Sequence, residues 1–92
     1  MTVYVDDMFK YPLGQFRGMK MSHMMADTDE ELHAMADVIG LQRKWFQGDH
    51  YDVSMTLRAR AIKHGAKEVT LREMSQYAMF KRQGLTLADL LG

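Results

Sequence analysis

The sequence predicts a small single α/β domain, with a mainly parallel sheet of about four strands and three helices. Three observations predict it. The chain opens on a β-branched and aromatic run, Thr2-Val3-Tyr4-Val5. Three later stretches start on Ser or Thr and continue as apolar stripes at helical spacing. Strand-like and helix-like stretches alternate, the pattern of βαβ units.

The first strand, Thr2 to Val5, ends at Asp6-Asp7. Residues 8–18 carry Pro12, Gly14 and Gly18 and read as a loop by turn chemistry. Its rings Phe9, Tyr11 and Phe16 suggest that it folds back on the body. Met19 to Ala26 is short enough for a second strand. Asp27-Thr28-Asp29-Glu30-Glu31 then opens a helix over 28–39, with Thr28 and Glu31 at capping-box spacing and acids at the positive end of the dipole. Leu32, Met35, Ala36 and Ile39 form its inner stripe, and Gly40 stops it.

Arg43 to Gln47, with Trp45-Phe46, reads as a short third strand broken by Gly48. Ser54 caps a second helix over 54–64, with Met55, Ala59 and Ile62 on one face and Gly65 as its stop. Lys67 to Thr70 is a weaker fourth strand. Thr70 and Glu73 pair as a capping box for a third helix over 71–82, with Leu71, Met74 and Ala78 inward. Thr86 to Leu91 reads as a last short helical turn within a C-terminal packing segment, 85–92.

Ninety-two residues make one domain. A chain this short buries roughly 60–65% of the surface it exposes unfolded, so its core is thin and a homo-oligomer is expected. Ten methionines read chiefly as adaptable core filler and secondarily as a partner surface. The absence of cysteine excludes a disulfide scaffold and a thiolate metal site. No apolar run is long enough to span a membrane, and Asp6-Asp7 interrupts any signal-peptide core. Cytoplasm is the expected compartment. Net charge is zero, although residues 1–40 hold seven acids and three bases while 41–92 hold five acids and nine bases. A neutral total argues against bulk nucleic-acid binding.

In open α/β sheets, ligands bind beyond the carboxyl ends of the strands. In a parallel sheet those ends carry Asp6-Asp7, Asp27-Thr28, the run Gln47 to Asp52, and Thr70. Caps and turn formers account for Asp27, Thr28, Gly48, Ser54 and Thr70 without any function. They leave Trp45, Gln47, His50 and Tyr51 unexplained. The densest segment, Trp45-Phe46-Gln47-Gly48-Asp49-His50-Tyr51-Asp52, joins stacking rings to an amide, an imidazole, a phenol and carboxylates. That mixture suits a nucleobase or sugar. The plain alternative is a tight turn in which His50 and Asp52 bond each other.

Other candidates are weaker. His23 alternates with Met19, Met21 and Met25 on one strand face and reads first as a hydrogen-bonded core residue, second as a ligand-binding one. Ser22 points to the opposite face, so it makes no nucleophile–base pair with His23. His33 could approach the Asp27 turn or stand solvated. Arg58 lies one turn into the second helix, where its fork could hold a phosphate; a solvated basic face is the alternative. Adjacent Asp6 and Asp7 point to opposite faces. Metal ligation by one aspartate with His50 or Asp52 is an option, but no cofactor is predicted.

Three motifs together carry a resemblance. They are Thr2-Val3-Tyr4-Val5-Asp6-Asp7; Ser22-His23-Met24-Met25-Ala26-Asp27-Thr28 followed by Glu31-Leu32-His33; and Trp45-Phe46-Gln47 with His50-Tyr51-Asp52-Val53. Over roughly residues 2–75 the chain resembles a small domain of unknown function from bacterial and bacteriophage proteins. The resemblance implies a source and no activity.

The leading expectation is recognition of a small anionic ligand of nucleotide type. Trp45 or Tyr51 would stack, Gln47 and His50 would hydrogen-bond, and Arg58 would meet phosphate. Asp6, Asp7, His23, Thr28 and Asp52 complete the candidate set. If the phage likeness holds, sequestering a host nucleotide signal is one use. The alternatives are a small hydrolase of a phosphate or glycosidic bond, with His50 or Asp7 as acid–base, and a protein-interaction module working through its methionines.

Overall fold

The structure, a computed structural model, describes residues 2–84. The expected C-terminal turn at 86–91 lies outside them. In chain order the strands and helices are β1 (Val3–Val5), β2 (Gln15–Phe16), β3 (Met19–Ala26), α1 (Asp29–Ile39), β4 (Tyr51–Ser54), α2 (Met55–Lys63), β5 (Lys67–Glu68) and α3 (Leu71–Arg82). Short 3-10 turns occupy Met8–Lys10, Pro12–Gly14 and Arg43–Trp45.

All three expected helices form, and their caps explain where they begin. The side chains of Thr28, Ser54 and Thr70 accept from the backbone N–H groups of Glu31, Leu57 and Glu73. At Thr70 the box is complete, because Glu73 also accepts from the Thr70 N–H. Gly40 ends α1 at φ 87°, a left-handed conformation that favours glycine.

The sheet is mixed, which corrects the expectation of a mainly parallel one. Its main order is β4–β3–β1–β5, and β2 folds onto the first residues of β3 as a hairpin. β3 runs antiparallel to both β1 and β4; only β1 and β5 pair in parallel. The reason lies between β1 and β3. A parallel neighbour needs a crossover, usually a helix. Residues 6–18 instead form two 3-10 turns and a hairpin strand, which return the chain beside its own start.

Two further expectations on strands change. Arg43–Trp45 is a 3-10 turn, so the expected third strand is absent. Its rings do not alternate between two packed faces: Phe46 packs on the core while Trp45 stands exposed. The strand lies later, at Tyr51–Ser54, beyond a turn closed by the Gln47 N–H donating to the His50 carbonyl. The fourth strand is shorter than expected, ending at Glu68, with the Val69 N–H still donating to the Val5 carbonyl.

Strand alternation sorts side chains into two layers. Val3, Val5, Met24, Ala26, Tyr51 and Val53 face α1 and α2, where they meet Leu32, Ala36, Ile39 and Ala61. Tyr4 and Met25 face the other way and pack on Met74 and Tyr77 of α3. The result is a three-layer α/β/α arrangement. No helix among the described residues is long and apolar enough to cross a membrane.

Candidate functional site

The antiparallel register decides which polar residues meet. Directly opposed residues on neighbouring antiparallel strands project to the same face. His23 of β3 is opposed by Asp52 of β4. Both therefore stand on the α3 side of the sheet, and His50, just before β4, joins them. The rings of His23 and His50 meet edge to face, 5.0 Å between centroids.

Each histidine is held from behind by a carboxylate. His23 Nδ1 lies 2.7 Å from Asp6 Oδ2. Asp6 is fully buried, and its Oδ1 accepts from the backbone N–H groups of His23 (2.9 Å) and Met8 (3.1 Å). With Nδ1 donating to Asp6, the His23 Nε2 carries a free lone pair. His50 Nδ1 lies 2.7 Å from Asp49 Oδ1, and its Nε2 lies 3.5 Å from Asp52 Oδ1. Gln47 donates from Nε2 to the other Asp52 oxygen at 2.9 Å. Among the described residues, His23, His50 and Asp52 can each offer one donor atom such that all three lie within 4.8 Å of one another.

His23, Asp49 and His50, with Met25, line one side of a cleft of about 230 Å³ whose far wall is α3, through Met74, Ser75, Ala78 and Arg82. A larger hollow of about 370 Å³ lies against α1, lined largely by Val3, Ala34, Met35, Val38 and Gly65. Its Glu31 is engaged with the Thr28 cap. Volume alone does not mark the site; the convergence of polar groups does.

Electrostatics follow the same contacts. The Asp52 carboxylate facing Nε2 raises the His50 pKa; partial burial opposes it and Asp49 assists, leaving the value at about 8. Reciprocally, His50 holds the Asp52 carboxyl below its ordinary value, with Gln47 assisting. A histidine pKa raised on folding stabilises fully below the unfolded value near 6.5. That contribution is lost as pH climbs through about 8. For this partly exposed group it should be about 1 kcal/mol after allowance for solvent screening. A ring-proton NMR titration of the metal-free protein should place His50 above pH 7.5, with urea midpoints falling between pH 6.5 and 8.5. A His50 pKa at or below 6.5 would contradict these contacts.

Of the ten expected site residues, the fold brings five together: Asp6, His23, Gln47, His50 and Asp52. The others are engaged elsewhere. Asp7 accepts the Leu71 N–H at 2.7 Å and anchors α3. Thr28 sits at the opposite end of the sheet, because β3 is antiparallel to β1 and the Asp27 N–H donates to the Thr2 carbonyl. Trp45 is 57% exposed, with the Lys44 ammonium over its ring. Tyr51 neighbours Asp52 on the strand and so faces the opposite layer, where its hydroxyl bonds His33 Nδ1 at 2.8 Å. His33 accordingly packs on Phe46 and Tyr51. Arg58 is buried, donating from Nε to the Asp6 carbonyl and pairing with Glu68, with Phe9 against its guanidinium. Sequence reasoning missed Asp49 as a partner of His50 and Arg82 as part of the cleft wall. Arg82 continues the Met74–Ala78 row at i+4 spacing, a signal that was present.

The model of a family described as "Protein of unknown function (DUF4031)" matches residues 3–81. The chain belongs to this family. The match spans every strand and nearly all of α3, so the cleft and its histidines fall within the family domain except for Arg82. No curated protein and no solved structure matches the chain.

Proposed function

We propose that this chain binds a small phosphate-bearing anion in the cleft between β3, β4 and α3 and hydrolyses it there. One observation carries the reading: two imidazoles that line one cleft, each held through Nδ1 by a carboxylate, come together with a third carboxylate, Asp52. A purely structural histidine needs one satisfied partner. Here His23 has a ring nitrogen left over to take a proton from water, and His50, its pKa raised to about 8 between two carboxylates, stands beside it as an acid. In the reaction the water oxygen bonds to phosphorus as the ester P–O bond breaks. The water's proton leaves by way of the His23–Asp6 side, and the departing oxygen takes a proton from solvent at the open mouth. Arg82 on the cleft wall supplies the cation for the phosphate.

A nucleotide-type ligand remains the proposed substrate class, since the cleft admits a phosphate with part of a ribose. Binding without turnover, including sequestration of a nucleotide signal by a phage-encoded protein, is the second reading. The open cleft, with Arg82 on its wall, supports it. Cytoplasmic location and assembly as a homo-oligomer belong to the same proposal. The thin core and the exposed Tyr11, Leu13, Phe16 and Met19 support assembly. A panel of nucleotides, cyclic nucleotides and simple phosphoesters, followed by calorimetry and by product analysis, tests the reading. Turnover of at least one member is expected. Saturable binding with the ligand returned intact would establish the binding module instead.

A further inference from the structure

We propose that His23, His50 and Asp52 form a site for one divalent first-row transition ion of the zinc or iron type, and that this ion generates the attacking hydroxide. The inference rests on the hydrolytic reading above and names its cofactor; with the ion bound, His23 Nε2 is a ligand, and the proton of the ion-bound water leaves to solvent at the open mouth instead of to His23. Three arguments carry it.

The first is the support behind the ligands. Metal-bound histidines characteristically donate their other ring nitrogen to a carboxylate, carbonyl or water, which fixes the tautomer and aims the free nitrogen. Both histidines have that arrangement, through Asp6 and Asp49. The carboxylate has it too, since Gln47 holds Asp52 Oδ2 and leaves Oδ1 for an ion. All three donors are thus oriented by a separate partner.

The second argument is spacing. Ligands at about 2.0–2.1 Å from a tetrahedral ion stand about 3.3 Å apart. His50 Nε2 and Asp52 Oδ1 are 3.5 Å apart, long for a charged hydrogen bond and close to that separation. His23 completes the group, with all three donor atoms within 4.8 Å of one another. Two nitrogens and one oxygen leave a coordination position open for water, the pattern of catalytic rather than structural sites.

The third is charge. Three carboxylates, Asp6, Asp49 and Asp52, stand against two imidazoles, so an anion approaching the metal-free centre meets net negative charge. A divalent ion reverses the local sign and lowers the pKa of its bound water toward neutrality. Two imidazole donors favour zinc or iron over magnesium or calcium, which prefer all-oxygen sites.

The test uses untagged full-length protein, stripped with a chelator and titrated with zinc, cobalt and magnesium salts. We expect a single equivalent of zinc, visible cobalt bands of a low-coordinate site, and no comparable magnesium binding. Asp52→Ala and His23→Ala should abolish the stoichiometric binding, while His64→Ala should leave it intact. Asp49→Asn alters a half-exposed side chain and should weaken zinc by about 10–100-fold while lowering the melting point of the metal-free protein by no more than a few degrees. Absence of saturable one-equivalent binding, or binding unchanged in both Asp52→Ala and Asp49→Asn, overturns the site. Hydrolysis at full rate by the stripped protein overturns the metal's role and leaves the hydrolase standing. Stoichiometric zinc with no turnover of any panel member supports the site and overturns the hydrolase.

Discussion

Asp6→Ala should be the most destabilising single substitution in the site, by about 3–5 kcal/mol. The Asp6 carboxylate is fully buried and joins three groups: the Met8 and His23 amides on Oδ1 and the His23 ring on Oδ2. Removing it leaves two backbone N–H groups and one ring nitrogen without their acceptor. A buried donor left unpaired costs about 1–3 kcal/mol, and the two amides fix the exit of β1 and the middle of β3. Small domains have about 5–15 kcal/mol in total, and this one has a thin core. The melting temperature should therefore fall by on the order of 20 °C, or the protein should fail to fold. A fall of only a few degrees in thermal unfolding would mean that water replaces the carboxylate and that Asp6 does not organise this edge.

Helix starts were legible because they are local. Thr28 with Glu31, Ser54, and Thr70 with Glu73 act within one turn, and nothing distant overrides them. Strand direction was not legible, because it depends on how residues 6–18 return, and no short-range signal specifies that path. The error had a consequence for the site. A parallel sheet would gather Asp6, Thr28 and Gln47 on one edge by their strand ends. The antiparallel β3 sends Thr28 to the far end and aligns His23 with Asp52 instead. The segment Gln47 to Asp52 stands out in the sequence as dense in chemistry, and Gln47, His50 and Asp52 do meet in the fold. Its division into two faces required knowing that Tyr51 begins a strand. Arg58 shows a different limit: its position after Ser54 suits an anion, but burial commits it to the Asp6 carbonyl and Glu68.

Asp6→Asn should retain the fold and lose the function, which separates Asp6's structural work from its positioning of His23. The side chain keeps the shape of aspartate, and its Oδ1 can still accept from the Met8 and His23 amides. The cost to stability should stay near 1–2 kcal/mol, the scale of one charge-assisted hydrogen bond weakened to a neutral one. At the other end the amide now presents N–H to His23 Nδ1, where a carboxylate oxygen lay 2.7 Å away. The imidazole must turn its proton to Nε2, so its lone pair faces the amide and the cleft receives an N–H. Such a ring can neither take a proton from water nor ligate a metal. Turnover should fall by about 10²–10⁴-fold, as in His23→Ala, while KM for the same substrate changes little because the phosphate contacts lie elsewhere. The readout specific to positioning is nitrogen-15 NMR of His23, which should move from the Nδ1–H to the Nε2–H tautomer in the metal-free protein. A variant that switches tautomer yet keeps its rate would remove His23 from the reaction, and the search for the activating group would move to His50.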